Sequence, residues 1–266
     1  MRTGINGSRH ARVSSLRFSV LIFAWGVAAF AGGAQEPCAP PDSMKARFAG
    51  KPDPTALNDL GAWFGEHDNY TCAAEAFATS LQMDPKQKDM PHVAFMFGAS
   101  LYYAGDAKEA IPALQAAEQS GYNEIKLHLL LARAQDDAHA RPEAETEWRS
   151  ALDIDPEYSY ALDALSDDLI ADHDSKGTIE LLDKPRLVPQ RTVHQAMNLG
   201  TAYVLEGKRE DAERILRDAL NTYPDAVELA SQLADVLTQS GRKAEAEAVL
   251  RIIKERKTGT AEAKDH

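Results

Sequence analysis

Cysteine is nearly absent from this chain: Cys38 and Cys72 are the two in 266 residues. Two thiolates cannot build the usual four-ligand structural zinc site, and the eight histidines show no His-Glu-x-x-His spacing. No metal and no cofactor is expected. A glycine-rich phosphate loop, a Gly-x-Ser-x-Gly elbow and a Cys/His nucleophile arrangement are all missing, which leaves catalysis without support. Basic residues are in deficit, 29 against 41 acidic, for a formal charge of −12. That balance argues against nucleic acid or anionic lipid as a partner and favours a basic one.

What is present begins with an unusual start. Arg2, Arg9, Arg12 and Arg17 precede the apolar stretch from Phe18 to Ala31, and the small residues Gly32, Gly33 and Ala34 follow. This is the anatomy of a secretory signal over residues 1–34, shorter than the ~20 apolar residues of a membrane span. Export to a periplasmic or extracellular space follows, with no stable membrane span after cleavage and an uncleaved anchor as the alternative. Without those four arginines the remainder carries 25 basic and 41 acidic residues. In an oxidising compartment Cys38 and Cys72 can pair, closing a loop worth ~3 kcal/mol if unstrained. Two unpaired thiols are the alternative. Residues 35–53 hold Pro37, Pro40, Pro41 and Pro52 with no sustained periodicity and read as a linker.

From residue 54 onward one pattern recurs six times, starting at Pro54, Pro91, Ile125, Ser159, Val193 and Val227. After a three-residue insertion, Lys88 to Met90, the spacing is an unbroken 34. One column reads Leu60, Phe97, Leu131, Leu165, Leu199 and Leu233, and the next reads Gly61, Gly98, Ala132, Ser166, Gly200 and Ala234. A second small column holds Ala73, Ala110, Ala144, Thr178, Ala212 and Ala246. One helical turn later come Phe77, Leu114, Trp148, Leu182, Leu216 and Leu250. Pro85, Pro156 and Pro224 close three of the units. Two departures stand out. Gln135 replaces a large apolar residue in the third unit, and Pro185 would fall inside the second helix of the fourth, where the path toward Val193 should be irregular.

The period and its columns resemble the tetratricopeptide repeat. The resemblance implies an all-α, right-handed solenoid of six helix–turn–helix units over residues 54–260, followed by a polar tail at 261–266. It also implies a non-catalytic interaction scaffold whose first helices line a concave groove. Carried over residue by residue, the groove presents Phe95, Tyr102 and Tyr103 at an aromatic end. Arg133, Asp136, Asp137, Tyr160, Asp163 and Asp167 form an acidic middle, with Met197 and Thr201 at an apolar far end. A peptide or helix with basic and apolar character would fit such a groove, in envelope assembly or a similar setting. The aromatic residues could instead pack on neighbouring helices. The chaperone-type carboxylate clamp is not rebuilt: Asn58 is in place, but Ala62, Leu129 and Arg133 do not complete it.

Two other readings remain. Self-association of stacked repeats would give a homo-oligomer. Residues 172–183 place Asp172, Asp174, Gly177, Ile179 and Glu180 at suitable positions of a calcium loop, which would make a calcium-modulated binder. Against it, Lys176 stands where an oxygen ligand belongs and Asp183 replaces the closing glutamate. The same residues suit a turn between two helices.

Overall fold

The structure is a computed structural model and describes residues 38–262; the signal reading falls outside them. The body Pro40–His266 is built from six pairs of helices, with no strand among the described residues. The pairs are α1 (Pro54–Glu66) with α2 (Tyr70–Met83), α3 (Met90–Tyr103) with α4 (Ala107–Gln119), and α5 (Ile125–Asp137) with α6 (Arg141–Ile154). They continue as α7 (Ser159–Ala171) with α8 (Ser175–Leu182), α9 (Val193–Leu205) with α10 (Arg209–Thr222), and α11 (Val227–Gln239) with α12 (Lys243–Glu262). No described helix is long and apolar enough to cross a membrane. The proline-rich stretch before α1 includes a short 3-10 helix, Lys45–Phe48.

Each pair turns in the same way. The residues at the turn, Asp68, Gly105, His139, His173, Gly207 and Gly241, all have positive φ. After each, a backbone N–H reaches back five residues: Asn69 to Phe64, Asp106 to Leu101, Ala140 to Gln135, Asp174 to Leu169, Lys208 to Tyr203 and Arg242 to Leu237, all at 2.8–2.9 Å. This is the Schellman ending, which satisfies carbonyls left free at a helix C-terminus. Glycine takes the left-handed conformation without a Cβ clash; Asp68, His139 and His173 adopt it at some cost.

Packing within a pair is set by the small columns. A methyl group on Gly61 would come within 2.8 Å of the Phe77 ring, and one on Gly98 within 2.7 Å of Leu114 Cγ. Ala73, Ala110, Ala144, Thr178 and Ala212 are fully buried on the facing helix. Leu114, Trp148, Leu182 and Leu216, one turn further, are buried to 1% exposure or less, with Leu114 and Leu216 seated over Gly98 and Gly200. Leu250 holds the same column in the sixth unit and is 45% exposed. Each second helix packs on the following first helix, while first helices also pack on each other along α1, α3 and α5 and along α7, α9 and α11.

The fourth unit departs from the pattern. α8 has eight residues and ends at Leu182, so Pro185 lies beyond it rather than inside; proline supplies no N–H to extend the helix. A 3-10 segment, Pro185–Gln190, follows, and its Leu187 is 1% exposed and plugs the core in place of the missing turn. Buried Arg191 donates from Nη2 to the Leu182 carbonyl at 2.9 Å, and the Tyr223 hydroxyl donates to the Arg191 carbonyl at 3.1 Å. Thr192 and Gln195 then form a capping box that starts α9.

Substitution of Gly98 by Ala should destabilise the chain by about 1–2 kcal/mol in urea unfolding. The Leu114 backbone nitrogen, 2.9 Å from the added methyl, cannot retreat. At Gly200 the nearest atom is a Leu216 methyl at 3.1 Å. There the helix-propensity gain of about 1 kcal/mol should leave Gly200→Ala close to neutral.

Candidate functional site

A cleft of about 500 Å³ opens over α1, α3 and α5. Its floor is apolar, with Phe95, Met96, Ala99 and Leu129, and its walls carry Tyr70, Tyr103 and Tyr158. Tyr103 is 51% exposed and its ring lies 5.2 Å from that of Tyr70. Lys126 and Arg133 line the same cleft, facing a chain that is otherwise strongly acidic. Neither has an ion-pair partner among the described residues. The Arg133 guanidinium sits 5.1 Å above the Tyr102 ring, a cation–π contact that holds both side chains. Burial, then the Asp137 carboxylate, raises the Tyr102 phenol above its ordinary pKa.

The expected aromatic end is therefore divided. Tyr103 is open to a partner, and Tyr102 is half-buried under Arg133. Phe95 is 7% exposed and stacks on Tyr122 with ring centroids 4.5 Å apart. It forms the cleft floor instead of a projecting contact, because that face of α3 meets the connection to the third unit.

The expected acidic middle is largely engaged. Asp163 accepts from Gln195 Nε2 at 2.7 Å and from the Thr192 hydroxyl at 3.2 Å. Asp167 accepts from Asn198 at 2.8 Å and faces His194 Nε2 at 2.6 Å. Further along, Gln232 Nε2 donates to the Met197 carbonyl at 2.9 Å and to the Thr201 hydroxyl at 2.8 Å. Asp163, Met197 and Thr201 thus act as joints between successive first helices, and the apolar far end is tied rather than open. Tyr160 is 51% exposed, edge-on to Trp148 at 5.5 Å, and Asp137 is exposed. The calcium-loop residues serve the turn: Asp174 caps α8 by accepting from the Gly177 N–H at 2.9 Å, and Asp172 pairs with Arg141 at 3.0 Å. Both cysteines, Cys38 and Cys72, are disulfide-bonded.

Asp136 belongs to a separate cluster. Together with Asp168 and Asp172 it lies beside Arg141 near the ends of α5 and α7, with Glu145 close enough to act on Asp168. Burial, more than the neighbouring carboxylates, raises Asp168 to about 6, against the attraction of Arg141 3.4 Å away. Burial likewise raises Asp136. The amide joints and this cluster were missed in the sequence, yet a signal existed. Most of the joint partners are 29–36 residues apart, close to one repeat period. A 34-residue period makes such residues neighbours.

The tetratricopeptide repeat family model matches residues 203–265. No curated protein matches the chain. Among solved structures it is similar to a tetratricopeptide repeat protein from Parabacteroides merdae, at 17% identity and a TM-score of 0.58. That match covers 76% of this chain and 79% of the other. The C-terminal part of a repeat-containing protein from Cytophaga hutchinsonii gives 14% identity and a TM-score of 0.61, over 78% and 82%. YrrB, described as a repeat protein with an unusual peptide-binding site, gives 16% and 0.55, over 72% and 97%. At these identities the likeness is one of fold.

Asp168 ties this region to pH. Its folded pKa lies above the ~3.9 of an unfolded aspartate, so the folded state holds the extra proton between the two values. The unfavourable contribution is full above about pH 6 and gone below about pH 4. Asp168→Asn should therefore stabilise the chain at pH 7.5 by about 1–2 kcal/mol, after allowance for solvent screening. Thermal melts at pH 7.5 and pH 4 should show that gain shrinking to nothing at the lower pH.

Proposed function

We propose that this chain, whose fold and residues 203–265 match the tetratricopeptide repeat, is a non-catalytic scaffold gripping an extended peptide or a helix in the cleft over α1, α3 and α5. The observation that carries the reading is the half-exposed Tyr103 beside Lys126, unpaired among the described residues, over a preformed apolar floor. Tyrosine offers contact area at little entropic cost, and a rigid floor removes the ordering penalty of binding. An apolar or aromatic anchor of the partner fills the cleft. Its backbone carbonyls or a carboxylate meet Lys126 and Arg133. Basic residues beside the anchor face the exposed Asp137 and Asp167, in keeping with the net charge of −12. Disulfide-bonded cysteines support export to an oxidising compartment, with envelope assembly as the setting.

End-to-end self-association is a second reading, favoured by Leu250 and Ile252, 45% and 46% exposed on the last helix. Light scattering separates the two, since the scaffold should run as a 29.1 kDa monomer or its processed form.

Selection of phage-displayed peptides on the full chain tests the cleft. The enriched peptides should lose at least about tenfold in affinity against Tyr103→Ala and Lys126→Glu, since anchor contacts of this kind are worth over 1 kcal/mol. Leu250→Ser should leave them unchanged. Peptides that bind both cleft variants as tightly as the native chain would move the site elsewhere.

A further inference from the structure

Away from the cleft, the junction of the second and third units brings together a histidine and two glutamates. Glu118 is near the end of α4, His128 lies in the first turn of α5, and Glu147 is midway along α6. One donor atom from each lies within 4.8 Å of the other two. His128 is 4% exposed and the Glu147 side chain 12%, while Glu118 is exposed.

The surroundings of the imidazole give this grouping its meaning. His128 Nδ1 is 2.7 Å from Glu147 Oε2, and Nε2 is 2.9 Å from Asn123 Oδ1. A neutral imidazole has one N–H, so acceptors at both nitrogens cannot both be served by it. When Nε2–H donates to Asn123, Nδ1 is left with a lone pair facing a carboxylate. A metal ion placed there would satisfy both that lone pair and the carboxylate.

We propose that Glu118, His128 and Glu147 form a binding site for a divalent first-row transition ion, zinc foremost. Imidazole nitrogen selects such ions over calcium or magnesium, which prefer all-oxygen sites. Two carboxylates neutralise the double charge, as a mostly buried site requires. Zinc holds nitrogen and carboxylate oxygen at about 2.0–2.2 Å, with donors about 3–3.5 Å apart, so Glu118 must draw in while Nδ1 and Oε2, now 2.7 Å apart, part slightly to admit the ion. His128 and Glu147 are held close by burial and need only a small separation; Glu118, exposed near a helix end, is the arm that moves. A bond from the far ring nitrogen to a carbonyl oxygen is the contact that orients metal-bound imidazoles, and Asn123 supplies it. Zinc takes Nδ1 as ligand, displacing any proton there into solvent, and water completes the fourth position. The ion would staple α4 of one unit to α5 and α6 of the next. None of its three ligands lines the cleft, so the site and the groove stand or fall separately.

Calorimetric titration of the full chain with zinc chloride, and separately with calcium chloride, tests the site. One zinc per chain should bind, and the melting temperature should rise with zinc. Glu118→Gln, at an exposed position where folding is not at stake, should weaken binding at least about tenfold. His128→Gln, checked for native helicity by circular dichroism, should abolish it. Absence of saturable zinc binding at 100 µM zinc would overturn the proposal. So would binding that Glu118→Gln retains in full, which would assign the ion to other side chains, or calcium binding as strong as zinc.

Discussion

The close approach of the two helices within each unit is the contact on which the rest of this structure depends. At Gly61 and Gly98 no room is left for a methyl group, and Ala132, Ser166 and Ala234 hold the same column at 4% exposure or less. Small side chains there make room for the facing helix of the same pair, so that Phe77, Leu114 and Leu216 pack directly over Gly61, Gly98 and Gly200. The apolar face of a single pair cannot bury itself; it is covered by the next pair. Leu250, in the last described pair, is 45% exposed where its counterparts in that column are buried.

That approach also fixes which surface is free. Because the second helices are locked between units, the inner face of the first helices is left for other work. In the C-terminal half that face is taken up by side-chain amides and carboxylates linking α7 to α9 and α9 to α11. In the N-terminal half Tyr103, Lys126 and the apolar floor remain open. The shortened α8 and the 3-10 segment after it separate the two halves, and Leu187 and Arg191 keep that irregular connection packed.

The fold was legible because each column had a local physical cause that six copies repeated. Gly98 and Leu114 are 16 positions apart, and the same offset recurs in Gly61 and Phe77 and in Gly200 and Leu216. Proline at 185 marked where the fourth unit would fail, although the helix stops earlier than the proline itself. The groove was less legible. Phe95 occupies an inner-face position, but its ring is claimed by Tyr122 across a connection that varies between units. Asp163 reads as a free carboxylate until Gln195, 32 residues on, is placed beside it. His128 carries no spacing signal at all, since its partners lie 5 and 19 residues away on different elements.

The central claim is that the open stretch of first helices over the N-terminal units is the binding face. Hydrogen exchange of the full chain with a selected peptide bound tests it most directly. The account predicts added protection along α3 and α5 around Tyr103 and Lys126, with α2, α4 and α6 unchanged. Protection confined to the second helices, or to α11 and α12, would contradict it.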